Sequence, residues 1–304
     1  MSGRTCPLKN CTAISAILLL TAATSTTART VYVDNDGPAD FNNIQAAIID
    51  SNDGDTVIVH PGLYLENINF MGKNITLTGA DPDNPDSVAS TVLDARGQGS
   101  VVTFHGDENS TCVLKGFTIS GGGIGYGGGI CGNGATAAIN RCVIIGNVAG
   151  DEGGGLYKCN GEISNCVISS NSCHEGGGGL SRCDGPITNC IITSNSVLES
   201  GGGLCLCDGP IINCTIAYNK AWYFSGGIVA CYGTITNCII WGNVGGSPQL
   251  DHCSTPSYSC IQDWADDGVG NISADPCFAY PNNGDYHLMS QAGRWDANGG
   301  RWTK

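Results

Sequence analysis

The sequence predicts an all-β fold, a right-handed parallel β-helix, and three observations carry that expectation. Cysteines recur at a step of 24 residues at Cys142, Cys166, Cys190, Cys214 and Cys238. Asparagines keep the same step at Asn147, Asn171, Asn195, Asn219 and Asn243, and so do Leu156, Leu180, Leu204 and Ile228, each behind a glycine run. Between these markers lie short β-rich runs, broken by Asn, Gly and Asp, with neither the length nor the 3.6-residue apolar period of a helix. A repeat of this length marks a stacked architecture. Each unit winds one coil of short strands and pairs with the next as parallel sheet, ~4.8 Å away.

Stacking explains the columns, because identical side chains then lie above one another. The asparagine column suits either a left-handed bend, which a short amide tolerates, or a ladder of hydrogen-bonded amides. A second cysteine column runs through Cys159, Cys183, Cys207 and Cys231. Parallel Cβ vectors fit a disulfide poorly, so both columns read as small buried fillers. A bridge is better placed among Cys253, Cys260 and Cys277, in the irregular tail.

From the N-terminus, residues 1–28 read as a signal peptide: Arg4 and Lys9, an apolar run from Ala13 to Ala23, then a small-residue site ending at Ala28. The apolar run is too short for a stable transmembrane span, so no membrane-spanning segment is expected in the mature chain, which is placed outside the cell or on its surface. Residues 29–130 form an N-terminal cap and irregular coils. Thr30 to Asp34 is the first strand, and Asp40 caps a short helix from Phe41 to about Asp50, with Phe41, Ile44 and Ile48 on one face. Such a helix would plug the open end of the solenoid. Residues 131–245 are the regular coils, with a two-residue insertion between 131 and 141. Residues 246–304 lose the period and end without a clear last strand, which reads as a truncated sequence.

Composition agrees. There are 46 glycines and only 13% charged residues, as tight bends and a stacked core require. The net charge of −14 excludes an ordinary nucleic-acid binder, since phosphate contact needs Lys and Arg.

The segments from Val31 to Asp34, Ile44 to Ile48, Gly54 to Gly62 and Tyr64 to Asn67 resemble the N-terminal cap of bacterial pectin-lyase-like β-helix proteins. The repeat, with glycines before Leu156 and the run from Ile168 to Asn171, is similar to the GGA-I and F-x-x-N repeats of polymorphic outer-membrane proteins. The resemblance covers most of Val31 to Asn243 and implies a secreted right-handed β-helix. That superfamily holds lyases, hydrolases and adhesins, so it implies no single activity. The W-I-D-H-like and R-x-P-x-x-R segments of pectate lyases do not occur here, nor do the N-T-D and G-H-G segments of polygalacturonase-type hydrolases.

Three sets of residues could carry chemistry. Asp151, Glu175 and Glu199 form one column, with Tyr223 next in register; stacked carboxylates of this kind can hold calcium or stand as a solvated loop. Asn160, Asp184 and Asp208 form another, with Lys158 and Arg182 two residues earlier in their coils. Asp184 and Asp208 with calcium, and Arg182 or Lys158 as base, would supply the parts of a polysaccharide lyase; the alternative is a surface ion pair. Trp222, Tyr223 and Phe224 interrupt the repeat beside Glu199, either folding back on their coil or offering flat rings to a sugar. The leading expectation is a non-catalytic protein that binds extracellular polysaccharide or presents a surface, with a calcium-assisted lyase and a structural adhesin or spacer as alternatives.

Overall fold

In the computed structural model, which describes residues 27–123, 125–265, 268–289, 294–296 and 301–303, the chain winds as a parallel β-helix. Residues 1–26, most of the segment expected to be a signal peptide, lie outside the described residues. Three long parallel sheets run the length of the solenoid. The first stacks nine strands from Thr30–Val33 to Ile235–Thr236, the second nine from Gly62–Tyr64 to Cys260–Ile261, and the third eight from Ile68–Asn69 to Leu250–Asp251. A short three-stranded sheet joins Ser172–Cys173, Ser196–Val197 and Lys220–Ala221. The register follows the 24-residue step: Leu156 pairs with Leu180, Leu180 with Leu204, and Leu204 with Ile228. Ile130 pairs with Leu156, 26 residues on, while Ile139 pairs with Ile163, so the two-residue insertion lies between the third and first sheets.

Each coil sends one large aliphatic side chain inward from each sheet. In the fullest coils these are Ile187, Ile192 and Leu204, all fully buried. Burying each contributes roughly 1.5–3 kcal/mol relative to exposure, and repetition makes this the main source of stability. The corners decide what fills the gaps. Asn165, Asn189, Asn213 and Asn237 turn the chain from the first sheet to the second with φ between 54° and 56°. Lys158, Arg182, Leu206 and Ala230 turn it out of the third sheet with φ between 49° and 55°. The residue after each left-handed corner is a cysteine pointing into the narrow interior, which explains both columns.

These thiols are buried and free, and the other described cysteines are free as well, from buried Cys112 to exposed Cys277. The thiol of Cys166 donates to the carbonyl of Ser164 at 3.2 Å, and the Cys142 N–H donates to the Cys166 sulfur at 3.5 Å. The tail bridge does not form. Cys253 instead continues the second column: its thiol donates to the Asp251 carbonyl at 3.3 Å, as the Cys231 thiol does to Val229 at 3.4 Å. A shortened coil brings Cys253 into line after 22 residues, which a strict 24-residue comb passes over.

The asparagine column resolves in favour of the ladder. Asn147, Asn171, Asn195, Asn219 and Asn243 are buried, and the left-handed residue is the one before them: Gly146, Ser170, Ser194, Tyr218 and Gly242. The side-chain Oδ1 of Asn171 accepts from both the backbone N–H and the side-chain amide of Asn147, each at 3.0 Å. The same pair of bonds links Asn171 to Asn195, Asn195 to Asn219, and Asn219 to Asn243. Gln249 caps the last amide, its Oε1 accepting from Asn243 Nδ2 at 2.8 Å. The glycines before the third sheet meet a simpler demand, close approach: a Cβ on Gly178 would lie 2.6 Å from the Ser196 carbonyl oxygen.

The N-terminal helix is shorter than expected, Ile44–Asp50, and Asn43 caps it, accepting from the Ala46 N–H at 2.8 Å. Asp40 instead accepts from the Tyr32 N–H at 2.9 Å, and Phe41 bridges to Val33, so both belong to the sheet edge. A second helix, Pro85–Ser90, lies against the second sheet, with the Thr118 hydroxyl donating to the Val88 carbonyl at 2.9 Å. At the other end a hairpin of Phe278–Tyr280 and Asp285–Leu288 folds back over the same sheet. Tyr286 meets Thr193 there, hydroxyl to hydroxyl at 2.6 Å, and Tyr218, Phe278 and Tyr286 cluster. No helix among the described residues is long and apolar enough to cross a membrane.

Candidate functional site

The loops between the short sheet and the third sheet stack into a ridge. Backbone hydrogen bonds hold each loop on its neighbour: Glu175 N to Asp151 O at 2.9 Å, Glu199 N to His174 O at 3.1 Å, Trp222 N to Leu198 O at 3.2 Å, and Phe224 N to Glu199 O at 3.1 Å. Asp151, Glu175 and Glu199 therefore stand in one row. Asp151 is half-buried and the other two are exposed. Their field reaches Tyr126 in the preceding loop, whose phenol is pushed up chiefly by the charge of Asp151, with smaller contributions from burial, Glu175 and Glu152.

Aromatic rings bracket the acidic row. At one end Tyr126 stacks on Tyr157, with ring centroids 4.8 Å apart, and the Lys158 ammonium lies 5.2 Å from the Tyr157 ring. At the other end Trp222, Tyr223 and Phe224 are 67%, 62% and 48% exposed, with the Lys220 ammonium 5.6 Å from the Trp222 ring. The three rings do not fold back into the core. Short hydrogen-bonded loops hold their backbones and leave the side chains outward.

Arg182 belongs to this side of the molecule. Its Nε and a terminal nitrogen donate to the two oxygens of Glu152, at 2.7 and 3.1 Å, and the Ser181 hydroxyl donates to Glu152 Oε2 at 2.7 Å. The hydrogen bond to Glu152 raises the Arg182 guanidinium above its ordinary range, against the opposing effect of burial. The proton that a base would have to give up is thus held more tightly. Glu152, next to the predicted Asp151, is nearly buried and is the acid in this column that finds a cation. Its sequence signal is a charge in a column whose later members are Gly176 and Ser200.

Asp184 and Asp208 sit at the corner between the third and first sheets and are exposed. Each carboxylate accepts from the backbone N–H one coil on: Asp184 Oδ1 from Asp208 at 3.2 Å, and Asp208 Oδ1 from Tyr232 at 3.0 Å. Asn160 Oδ1 does the same for Asp184 at 3.2 Å. The column is a stitch between coils made by residues that need only a side-chain oxygen at this height. Among the described residues no three His, Cys, Asp or Glu side chains gather in a metal-binding cluster. What the ridge assembles is a row of hydrogen-bond acceptors flanked by flat apolar rings.

No protein-family model matches this chain, and no curated protein sequence matches it.

Proposed function

We propose that this protein acts outside the cell as a non-catalytic β-helix that binds polysaccharide along the loop ridge. One observation carries the reading: Trp222, Tyr223 and Phe224 are exposed together on loops fixed by coil-to-coil backbone bonds, beside the exposed carboxylate of Glu199. A monomer seldom presents contiguous aromatics to water without a partner, and flat rings suit the apolar faces of sugars while a carboxylate accepts their hydroxyls. The rigid backbone lowers the entropy lost on binding.

Affinity electrophoresis against a panel of extracellular polysaccharides tests this. Replacing Trp222 and Tyr223 by Ala should weaken retardation by about 1 kcal/mol or more and leave the melting curve almost unchanged. A double mutant that melts several degrees lower and keeps its retardation would make the rings packing residues and end the ridge reading.

A further inference from the structure

On the outer face of the second sheet, well away from the loop ridge, two depressions of about 300 and 250 Å³ meet at Val167. Together they form one cleft. Its floor is the row Val143, Val167 and Ile191, half-exposed side chains that point away from the solenoid core. One wall is the segment holding Pro82 and Pro85 ahead of the second helix, and the other is the returning hairpin, with Pro281 and Tyr286. Both walls are anchored, one by the Arg141–Asp83 ion pair at 2.7 Å and the other by Tyr286 on Thr193. Each depression is close to the lower end of the range of small-ligand sites.

The cleft lies on the face of a sheet, where the strands already spend their backbone groups on one another. An extended peptide therefore finds no edge to pair with, and recognition falls to side chains. Among the described residues the Asn165 amide and the Ser170 hydroxyl, both exposed at the cleft, have no hydrogen-bond partner in the chain. Apolar floor, ring wall and free hydroxyl and amide groups together match a sugar ring, which has an apolar face and a polar rim. Charge then selects the kind of sugar. Among the described residues Arg141 is the only cation lining the cleft, and Asp83 neutralises it. A uronate would meet no uncompensated positive charge there, in a protein whose formal net charge is −14.

We propose that this cleft binds a segment of a neutral, uncharged glycan chain. The inference goes beyond the ridge reading and uses none of its residues, so the two can fail separately.

Isothermal titration of the full chain with xylohexaose, cellohexaose and mannohexaose, alongside hexagalacturonate, reads it directly. At least one neutral hexasaccharide should bind and hexagalacturonate should not. Val167→Glu, which fills the floor from the solvent side, should weaken neutral binding about tenfold or more, with an unchanged melting temperature and in a Trp222→Ala/Tyr223→Ala background as well. Asp83→Asn frees Arg141 and should confer measurable hexagalacturonate binding, which keeps the proposal testable even where Val167→Glu folds poorly. Preference of the wild-type protein for hexagalacturonate overturns the proposal, as does neutral binding that survives Val167→Glu or is lost only in the Trp222/Tyr223 variant. Absence of binding to all three neutral probes, while the ridge still retards a polysaccharide, overturns the cleft and leaves the ridge standing.

Discussion

The carboxylate of Glu152 grips the guanidinium of Arg182, 30 residues later, through two hydrogen bonds and takes a third from Ser181. Burial alone would raise the Glu152 carboxyl, but the hydrogen bonds from Arg182 and Ser181 outweigh it and hold the group below its ordinary value of 4.5. A carboxyl depressed in the folded state adds stability that is present above the unfolded value and disappears as pH falls through the folded one. Melting temperature should therefore drop on acidification below about pH 4.5, and Glu152→Gln should flatten part of that drop. At neutral pH the same substitution should cost about 1 kcal/mol, since Arg182 remains partly solvated. A pH series of melting curves for both proteins checks it.

Asn195 makes its ladder bonds where no water can replace them. Asn195→Ala removes the acceptor for two Asn171 donors and leaves the Asn219 oxygen and the Ile168 carbonyl each short of a donor. The expected loss is roughly 3 kcal/mol or more, several times that of an exposed Asn213→Ala. Urea unfolding of the two variants gives the comparison.

The thiol columns should accept a hydroxyl and refuse bulk. Ser259 already occupies the next rung of the first column, where its oxygen accepts from the Cys238 N–H at 3.0 Å and donates to the Ser257 carbonyl at 2.8 Å. Cys214→Ser should therefore cost only about 1 kcal/mol, and Cys214→Val more, roughly 1–3 kcal/mol, because the corner has no room for a second branch. Burial also pushes the thiols of Cys183 and Cys207 up, so an alkylating reagent should modify them only after denaturation. Mass spectrometry of native and unfolded protein reads the difference.

Calcium should leave the melting temperature where it was. Asp184 and Asp208 spend an oxygen each on a backbone N–H, and Asp151, Glu175 and Glu199 are spaced by the coil instead of converging. A native-state ligand would raise the melting temperature by mass action, so a rise with added calcium, reversed by a chelator, would count against this reading of both columns.

Period and patterning made the solenoid legible because stacking forces the same physical demand on the same column. The burial of Cys166 and Cys190 follows from that demand alone; the asparagine column allowed a bend or a ladder, and the left-handed φ at the residue before each Asn decides for the ladder. Departures from the period were harder to read. Cys253 rejoins its column after a shortened coil, and Asn43 displaces Asp40 as helix cap because Asp40 is taken by the Tyr32 N–H. The cleft was invisible for a different reason: its walls come from residues 82–85 and 281–286, some two hundred positions apart, and neither repeats. The break in the repeat at Trp222 was readable, but whether its ring folded back or faced outward was not. Nor was the partner of Arg182, since it lies one coil back and one column away from the repeated acids Asp151, Glu175 and Glu199.

The five asparagine amides also share a direction. Every rung donates toward the C-terminal neighbour and accepts from the N-terminal one, so the small dipoles of the side chains add along the axis and polarise one another. Such a file has a beginning and an end. A coil can join at the Asn243 end only by bringing an oxygen to that height, and Gln249 does so from a longer arm, turning its own nitrogen back onto the Asn243 carbonyl at 2.9 Å. The solenoid is thus vectorial as well as periodic, and the amide file ends where a glutamine takes the place of the next asparagine, while the sheets run on to Leu250–Asp251 and Cys260–Ile261.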